Sequence, residues 1–296
     1  MTSSGHASVA MTGALSHPGG AAEGSRDGFV LQPRRIREEP APQADHQTNH
    51  QADLPILAHP EWCRDHPWLV QGITQRHDPR GGEFDLGIGG SGAVGEVLGR
   101  WERLRSGLGV RGVVVSTQVH GATVRLARGP VSGLHIALPG DGHLTSEPDL
   151  ILAVSVADCV PVFLVDPTSR TLALLHAGWR GVVAGVVEAG VRSLRERFGV
   201  DAAALQVHLG PAISGTRYPV GREVPVALGL PDPGGASQLD LIPHIAWRLA
   251  RMGVAREAIT ASSICVHDDP RFFSHRGGDE GRQMALLGFR GRPGVR

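Results

Sequence analysis

Cys159, His120 and His176 have side chains of the types that can bind a metal ion or carry nucleophilic catalysis, and all three lie in or next to distinct short motifs. His120 lies within the motif 117–121 and His176 opens the motif 176–181, and each histidine has a glycine close by. A thiolate and two imidazoles can hold a zinc ion with one coordination position open to water, whose pKa the ion would lower towards neutrality. The same groups can also act as a nucleophile and its base, so both chemistries stay open.

Segments typical of strands adjoin all three residues, and strand ends that meet at one sheet edge would bring the three together. Asp158 or Gln118 is expected to orient the metal-binding side chains. The predicted strands are 70–74, 113–118 with 123–127 as a hairpin partner, 150–156, 160–165, 171–176, 206–209 and 263–266, with a last element starting at 281–287. The predicted helices are 94–108, 182–198 and 243–252.

This alternation of strands and helices predicts a mixed α/β fold, and the composition predicts two regions. Residues 1–52 are rich in Gly, Ala, Ser, Pro, Gln and His, with hardly any apolar periodicity. Such a segment buries too little apolar surface to offset the entropy of ordering, so a disordered tail is expected there. Residues 53–296 are expected to form the globular domain.

The overall charge and the cysteine content exclude several classes of protein. The formal net charge of the 296 residues is zero, which offers no general attraction for nucleic acids or anionic membranes. No apolar run is long enough to span a bilayer, and the N-terminus has no secretory signal pattern. The three cysteines are far apart. We therefore expect a cytoplasmic protein with reduced thiols, and the sequence does not indicate its oligomeric state.

The chain has no lysine, which removes Schiff-base chemistry, pyridoxal phosphate linkage and Walker-type phosphate binding. Any bound anion must therefore contact arginine, histidine or backbone N–H groups. Arg76 and Arg180 are the candidates for this role. Tyr218, the only tyrosine, can stack on a base or close the core, and Gln118 is the fourth candidate for substrate contact.

Six short motifs occur here in an order that resembles the laccase-domain purine nucleoside phosphorylase family, also called the YfiH-like or polyphenol oxidoreductase family. The motifs are 117–121, 157–161, 176–181, 210–213, 272–276 and 281–283. The resemblance implies layered mixed β-sheets flanked by helices, related to the cytotoxic necrotizing factor domain. It also implies that Cys159, His120 and His176 bind zinc and carry catalysis.

The same resemblance implies phosphorolysis of adenosine, inosine and methylthioadenosine, with some adenosine deaminase activity and with purine nucleosides and phosphate as partners. The chain departs from the family where an asparagine usually precedes Leu86-Gly87, because Asp85 stands there. It also has Gly99 before Arg100, where the family often has asparagine. These departures fall in the loop expected to bind substrate rather than in the metal-binding set.

Three other functions stay open from the sequence. A metal-free cysteine hydrolase acting on amides, including a peptidoglycan-precursor editing factor, would use Cys159 as nucleophile and a histidine as base. A copper polyphenol oxidase is disfavoured because the chain has no His-x-His segment, although the same ligands can bind copper by the Irving–Williams trend. A non-enzymatic nucleoside-binding module is the third.

Overall fold

The computed structural model describes residues 28–42, 54–90 and 92–291 of the chain. It consists of two seven-stranded mixed sheets that face each other, with helices on their outer faces. This confirms the predicted mixed α/β class and its layered, helix-flanked sheets. Among the described residues, no helix is both long and apolar enough to cross a membrane.

The helices and strands follow one another along the chain without a repeated unit. The helices are α1 (Pro60–Asp65), α2 (Val94–Gly107), α3 (Trp179–Ala184), α4 (Val186–Phe198), α5 (Glu223–Ala227) and α6 (Leu241–Arg251). The strands are β1 (Arg34–Ile36), β2 (Glu39–Pro40), β3 (Ile56–Ala58), β4 (Leu69–Thr74), β5 (Gly112–Ser116), β6 (Val124–Leu126), β7 (Gly133–Ala137), β8 (Gly142–Thr145), β9 (Leu150–Val156), β10 (Val160–Asp166), β11 (Thr171–Ala177), β12 (Gln206–Leu209), β13 (Pro219–Val220), β14 (Ser237–Gln238), β15 (Ile259–Ser262) and β16 (Gln283–Phe289).

The two large sheets each combine parallel and antiparallel pairs. Sheet I has the order β1-β15-β12-β10-β11-β8-β6, and sheet II has the order β2-β3-β4-β16-β9-β5-β7. Strands β9 and β10 follow each other in sequence but belong to different sheets, so the chain crosses between the sheets at residues 157–159. The crossing is therefore the segment that carries Cys159.

Alternate residues of the central strands form the core between the sheets. In β10, Phe163 and Val165 pack between the sheets, whereas Val162 and Leu164 pack under the helices that cover sheet I. Successive side chains of a strand point to opposite faces, so an apolar residue at every position marks a strand covered on both sides. Phe163 is fully buried, and its replacement by alanine would cost about 3–5 kcal/mol.

Helices α4 and α6 cover sheet I, and α2 covers sheet II. The predicted helix 94–108 agrees with α2, which buries Val97, Trp101 and Leu104 on one face. The predicted helix 182–198 is divided in the structure, because Gly185 adopts a left-handed conformation with φ of 89° between α3 and α4. Glycine adopts this conformation without the steric cost that other residues meet.

Part of the predicted disordered tail is ordered, so the boundary at residue 52 is wrong for residues 28–42. Within this segment β1 pairs in parallel with β15 of sheet I, and β2 pairs with β3 of sheet II. Between the two strands Glu38 is buried, where it accepts hydrogen bonds from His208 (2.9 Å) and Ser262 (2.7 Å). Residues 1–27 and 43–52 of the predicted tail lie outside the described residues.

Two predicted strands also differ from the structure. Segment 123–127 forms β6, but β6 pairs in parallel with β8 of sheet I and is not a hairpin partner of β5. Strand β5 instead pairs with β7 and β9 of sheet II. The predicted strand 263–266 is placed too late, because β15 spans Ile259–Ser262 and its ladder with β12 runs over Ile259–Ala261. The first error concerns a strand partner and the second a strand boundary, and local sequence patterns specify neither closely.

Candidate active site

Neighbouring strands of sheet I place Cys159 and His176. Strand β10 begins one residue after Cys159, and β11 runs antiparallel to it with His176 opposite Pro161. In an antiparallel pair the start of one strand lies beside the end of the other, so the two side chains share one end of the sheet. These two strand ends therefore converge as expected.

His120 reaches the same place from sheet II, in the loop that follows β5. Its φ of 57° is left-handed, an uncommon conformation for a residue with a side chain. The ligand atoms of His120, Cys159 and His176 all lie within 4.8 Å of one another. The two imidazole rings have centroids 4.8 Å apart and are nearly perpendicular. The structure thus brings together the three residues that the sequence singled out.

Gly178 leaves the space in which this group assembles. A Cβ atom at this position would lie 2.9 Å from the Cys159 sulfur and 3.1 Å from Cδ2 of His120. Contacts under about 3 Å require something to move. The glycine after the His-Ala pair is therefore needed because the backbone itself passes against the thiol.

The carboxylate of Asp141 supports two of the three residues. It accepts hydrogen bonds from the backbone N–H of His120 (2.8 Å) and Gly121 (2.7 Å), and Nδ1 of His176 lies 3.1 Å from Oδ1. Asp141 is fully buried, and its position leaves Nε2 of His176 to face the centre of the group. A carboxylate that fixes the ring and tautomer of a histidine ligand is a recurrent feature of metal sites.

Asp158, one of the two residues expected to orient the ligands, serves another purpose. It has a φ of 88°, and its carboxylate accepts hydrogen bonds from Oγ of Ser274 (2.7 Å) and the backbone N–H of Arg276 (2.7 Å). A left-handed non-glycine residue persists only where its surroundings hold it. Asp158 thereby ties the sheet crossing beside Cys159 to the C-terminal motif 272–276.

The ionisation of the group follows from burial and from mutual attraction. Burial alone would raise the pKa of the Cys159 thiol, but the imidazoles of His120 and His176 outweigh it and lower the pKa to about 6. Burial alone would lower the pKa of His176, but Asp141 and Cys159 raise it to about 9. The attraction between these groups thus favours the charged thiolate and the charged imidazolium, and a bound metal ion would take the place of the proton.

Gln118 and Arg76, two predicted substrate contacts, are engaged by other protein groups. The Gln118 amide donates to the backbone carbonyl of Ser155 (2.8 Å) and accepts from its backbone N–H (2.6 Å) and its hydroxyl (3.0 Å). Arg76 forms ion pairs with Glu83 (2.8 Å) and Asp279 (3.0 Å). Gln118 therefore fixes the loop that carries His120, and the charge of Arg76 is already balanced.

Tyr218 and Arg180, the other two predicted contacts, lie around the thiol. Burial raises the pKa of the Tyr218 phenol and the neighbouring charge of Cys159 raises it further, while Arg276 and Arg180 oppose the rise. Arg180 is exposed and stacks on Trp179, with its Cζ 4.4 Å from the ring centroid. Arg276 stacks on Tyr218 at 5.0 Å. The phenol therefore remains protonated beside Cys159.

A cavity of about 320 Å³ opens next to the loop that carries His120. Its lining includes Gln118 and Ser155 together with the glycine-rich segment 87–90 and Arg282. Asp85, the residue in place of the family asparagine, accepts hydrogen bonds from the N–H groups of Gly87 (2.8 Å) and Arg282 (2.9 Å). Asp85 thus links the glycine-rich segment 87–90 to Arg282 across the lining of this cavity.

Sequence reasoning missed Asp141 and the role of Arg276. Asp141 lies between two glycines, where an aspartate normally indicates only a turn. Arg276 belongs to a motif that the sequence did single out, but its neighbours Asp158 and Tyr218 are far from it along the chain. His275, which lies in the motif 272–276, is exposed and is not among the three clustered ligands.

Comparison with known proteins agrees with this arrangement. A family model described as multi-copper polyphenol oxidoreductase laccase matches residues 74–290, which include all three clustered ligands. The chain belongs to this family. The resemblance predicted from the six motifs is thereby confirmed.

Relatives and solved structures of this laccase family include proteins with more specific names. A purine nucleoside phosphorylase of Streptomyces coelicolor is 37% identical over 205 residues, which cover 65% of this chain and 82% of that protein. The purine nucleoside phosphorylase YlmD of Bacillus subtilis is 35% identical over 53% of this chain and 61% of its own length. The crystal structure of YlmD from Geobacillus stearothermophilus matches with a TM-score of 0.71 and 27% identity, covering 84% of this chain and all of that one.

Proposed function

We propose that this chain is a zinc-dependent purine nucleoside phosphorylase that acts on adenosine, inosine and methylthioadenosine and also deaminates adenosine. The observation that carries the proposal is the cluster of His120, Cys159 and His176, with ligand atoms within 4.8 Å of one another beside a cavity. The names of the relatives support the substrate class. The cavity volume, about 320 Å³, lies at the small end of the range of roughly 300–1,000 Å³ common for small-molecule sites.

The donor set fits zinc. One cysteine sulfur and two histidine nitrogens are ligands that zinc binds well, and three protein ligands with an open fourth position are typical of catalytic zinc. His176 is buried whereas His120 is exposed, so the group is open on the His120 side. When bound, a zinc ion supplies Lewis-acid polarisation and lowers the pKa of a coordinated water.

The residues of the chain have separate tasks in this proposal. Asp141 holds His120 and His176 in place, and Gln118 locks the loop between them and the cavity. In phosphorolysis a phosphate oxygen forms a bond to C1′ of the ribose while the bond from C1′ to the purine nitrogen breaks. The electron pair stays on the purine, and the proton lost by hydrogen phosphate balances the one that the purine gains.

A cysteine-dependent amide hydrolase is the second candidate, because one specific observation favours it. The pKa of Cys159 is lowered to about 6 beside His176, which is the environment of an activated thiol nucleophile. In such an enzyme His176 would return the proton to the leaving amine.

Copper remains the alternative to zinc as the bound ion, because one cysteine and two histidines also bind copper strongly.

An assay of the purified full chain with adenosine and phosphate separates these candidates. We expect adenine with ribose 1-phosphate, and inosine, from the zinc-loaded protein, and neither product after chelation or in Cys159→Ala. Cys63→Ala is the matched control, since Cys63 is also a half-buried free cysteine but lies in α1. Activity that survives chelation but not Cys159→Ala favours the thiol mechanism. Activity that survives both contradicts the assignment of the site.

A further inference from the structure

The absence of lysine makes arginine the main cationic group for binding an anion in this chain. Arg76 and Arg103 are neutralised, because Arg76 pairs with two carboxylates and Arg103 pairs with Asp78. Arg282, which lines the cavity, donates Nη1 to three backbone carbonyls. Within the described residues, neither Arg180 nor Arg276 forms an ion pair with a carboxylate. Their charges are therefore available to a ligand.

Arg276 is held beside the thiol by its backbone. Its N–H donates to Oδ2 of Asp158 (2.7 Å), the residue before Cys159. One guanidinium nitrogen, Nη1, donates to the carbonyl of Pro219 (3.1 Å), and the guanidinium lies 5.0 Å from the centre of the Tyr218 ring. A guanidinium has five N–H donors, so Nε and Nη2 are left to bind an oxyanion.

Arg180 lies just after the end of β11, the strand that pairs with β10. It follows Gly178 by two residues, and Gly178 is the residue whose backbone passes against Cys159 and His120. Its guanidinium stacks on Trp179, which leaves the N–H groups at its edge free to donate. No hydrogen bond joins the Arg180 side chain to any other group in the described part of the chain.

Tyr218 packs against Arg276, whose guanidinium lies 5.0 Å from the ring centre and whose backbone is bonded to Asp158, next to Cys159. The ionisation of its phenol responds to the charges of Cys159, Arg276, Asp158 and Arg180, which are all near enough to act on it. Both Asp158 oxygens already accept hydrogen bonds, so this carboxylate is engaged by other protein groups. The phenol hydroxyl and the two guanidiniums together supply hydrogen-bond donors for an oxyanion.

We propose that Arg180, Arg276 and the hydroxyl of Tyr218 form the binding site for inorganic phosphate, next to the metal-binding cluster. This proposal rests on the proposed function and assigns its second substrate to particular residues. Arg276 takes the anion-binding role that the sequence suggested for Arg76, because the guanidinium of Arg76 already pairs with Glu83 and Asp279. Arginine forks suit the tetrahedral phosphate because they donate two parallel hydrogen bonds to its oxygens.

A phosphate ester, such as that of adenosine 5′-monophosphate, offers the same oxyanion, so the experiment must distinguish the two sources. The zinc-loaded full chain is titrated by calorimetry with inorganic phosphate and, separately, with adenosine 5′-monophosphate. The variants are Arg180→Gln, Arg276→Gln and Tyr218→Phe, with Arg64→Gln as the matched control. Arg64 is an exposed arginine whose carboxylate partner is its neighbour Asp65.

We expect Arg180→Gln and Arg276→Gln each to weaken phosphate binding at least about tenfold, or about 1.4 kcal/mol, and Arg64→Gln to leave it unchanged. In steady-state assays the KM for phosphate rises by the same factor and rises more than the KM for adenosine, whereas Arg64→Gln changes neither constant. This difference between the two KM values separates a phosphate site from a structural role of Arg276 at Tyr218, which would alter both constants alike.

The calorimetry would overturn the proposal if the wild type bound no phosphate, if both arginine variants kept the wild-type affinity for phosphate, or if only the monophosphate bound. Normal phosphorolysis in the arginine variants would refute the site and leave the proposed function standing. Phosphate binding that depends on both arginines, without any phosphorolysis, would support the site and refute the proposed function. Circular dichroism and melting temperatures establish that each variant is folded.

Discussion

Replacing Asp141 by asparagine tests whether this buried carboxylate builds the metal-binding cluster. The carboxylate accepts from the backbone N–H groups of Val119 (3.3 Å), His120 (2.8 Å) and Gly121 (2.7 Å), and it lies 3.1 Å from Nδ1 of His176. Asparagine keeps one acceptor oxygen and turns the other into a donor. Because Asp141 is fully buried, at least one of these N–H groups would then face another donor instead of an acceptor.

The structure sets the expected size of both effects. A hydrogen bond to a charged group contributes about 1.5–3 kcal/mol, so the variant should lose about that much free energy of unfolding. Loss of a carboxylate that orients a histidine ligand typically weakens metal binding about 10–100-fold. The loop around His120 depends on the same carboxylate, which favours the upper part of that range.

The assay is competition for zinc between the protein and a chromophoric chelator, with urea unfolding measured in parallel. Asp166→Asn is the matched control, because Asp166 is also buried and accepts from the Thr168 N–H (2.9 Å) and the Ser169 hydroxyl (2.6 Å). It lies at the far end of β10 from Cys159. The control should lose stability without losing zinc affinity. A folded Asp141→Asn variant that binds zinc as tightly as the wild type would refute the role given to Asp141.

Three further predictions follow from the same structure. Gly178→Ala would place a Cβ 2.9 Å from the Cys159 sulfur, so zinc stoichiometry by elemental analysis should fall while the circular dichroism spectrum stays native. Burial lowers the pKa of His143 from 6.5 to about 4. Between those values the unfolded chain binds more protons, so urea titrations should show a free energy of unfolding that falls by about 3 kcal/mol as the pH drops through this window, and His143→Gln should reduce the fall. Glu38→Gln should lower stability by about 1–3 kcal/mol and expose residues 28–42 to proteases, and equal protease resistance would contradict this.

Local sequence patterns were sufficient to predict the helices and strands whose own apolar residues reveal which faces are buried. Strands β9 and β10 are apolar at nearly every position, and α2 repeats apolar residues at helical spacing, so their bounds were predicted within about two residues. Strands β1 and β2 have no such pattern. They are short edge strands that are ordered because β15 and β3 offer them unpaired backbone groups.

The candidate site likewise contains some residues that the sequence could predict and others that it could not. Cys159, His120 and His176 were predictable because the residue types and their motifs carry the chemistry. Asp141 was not, because its function comes from three N–H groups and an imidazole that only the folded chain brings to it. The ion pairs of Arg76 with Glu83 and Asp279 were not predictable either, because these partners are not evident from its own motif.

The crossing between the sheets explains why the cluster forms at this point. Residues 157–159 carry the chain from β9 of sheet II to β10 of sheet I, and the loop after β5 brings His120 across the same gap. Neither sheet alone supplies all three ligands, so the cluster exists only when the two sheets are packed together. A bound metal ion should therefore stabilise the packing of the sheets as well as the site, because it binds the folded chain alone. Zinc removal should lower the melting temperature of the wild type and change that of Cys159→Ala much less, and equal shifts would show that the ion binds elsewhere.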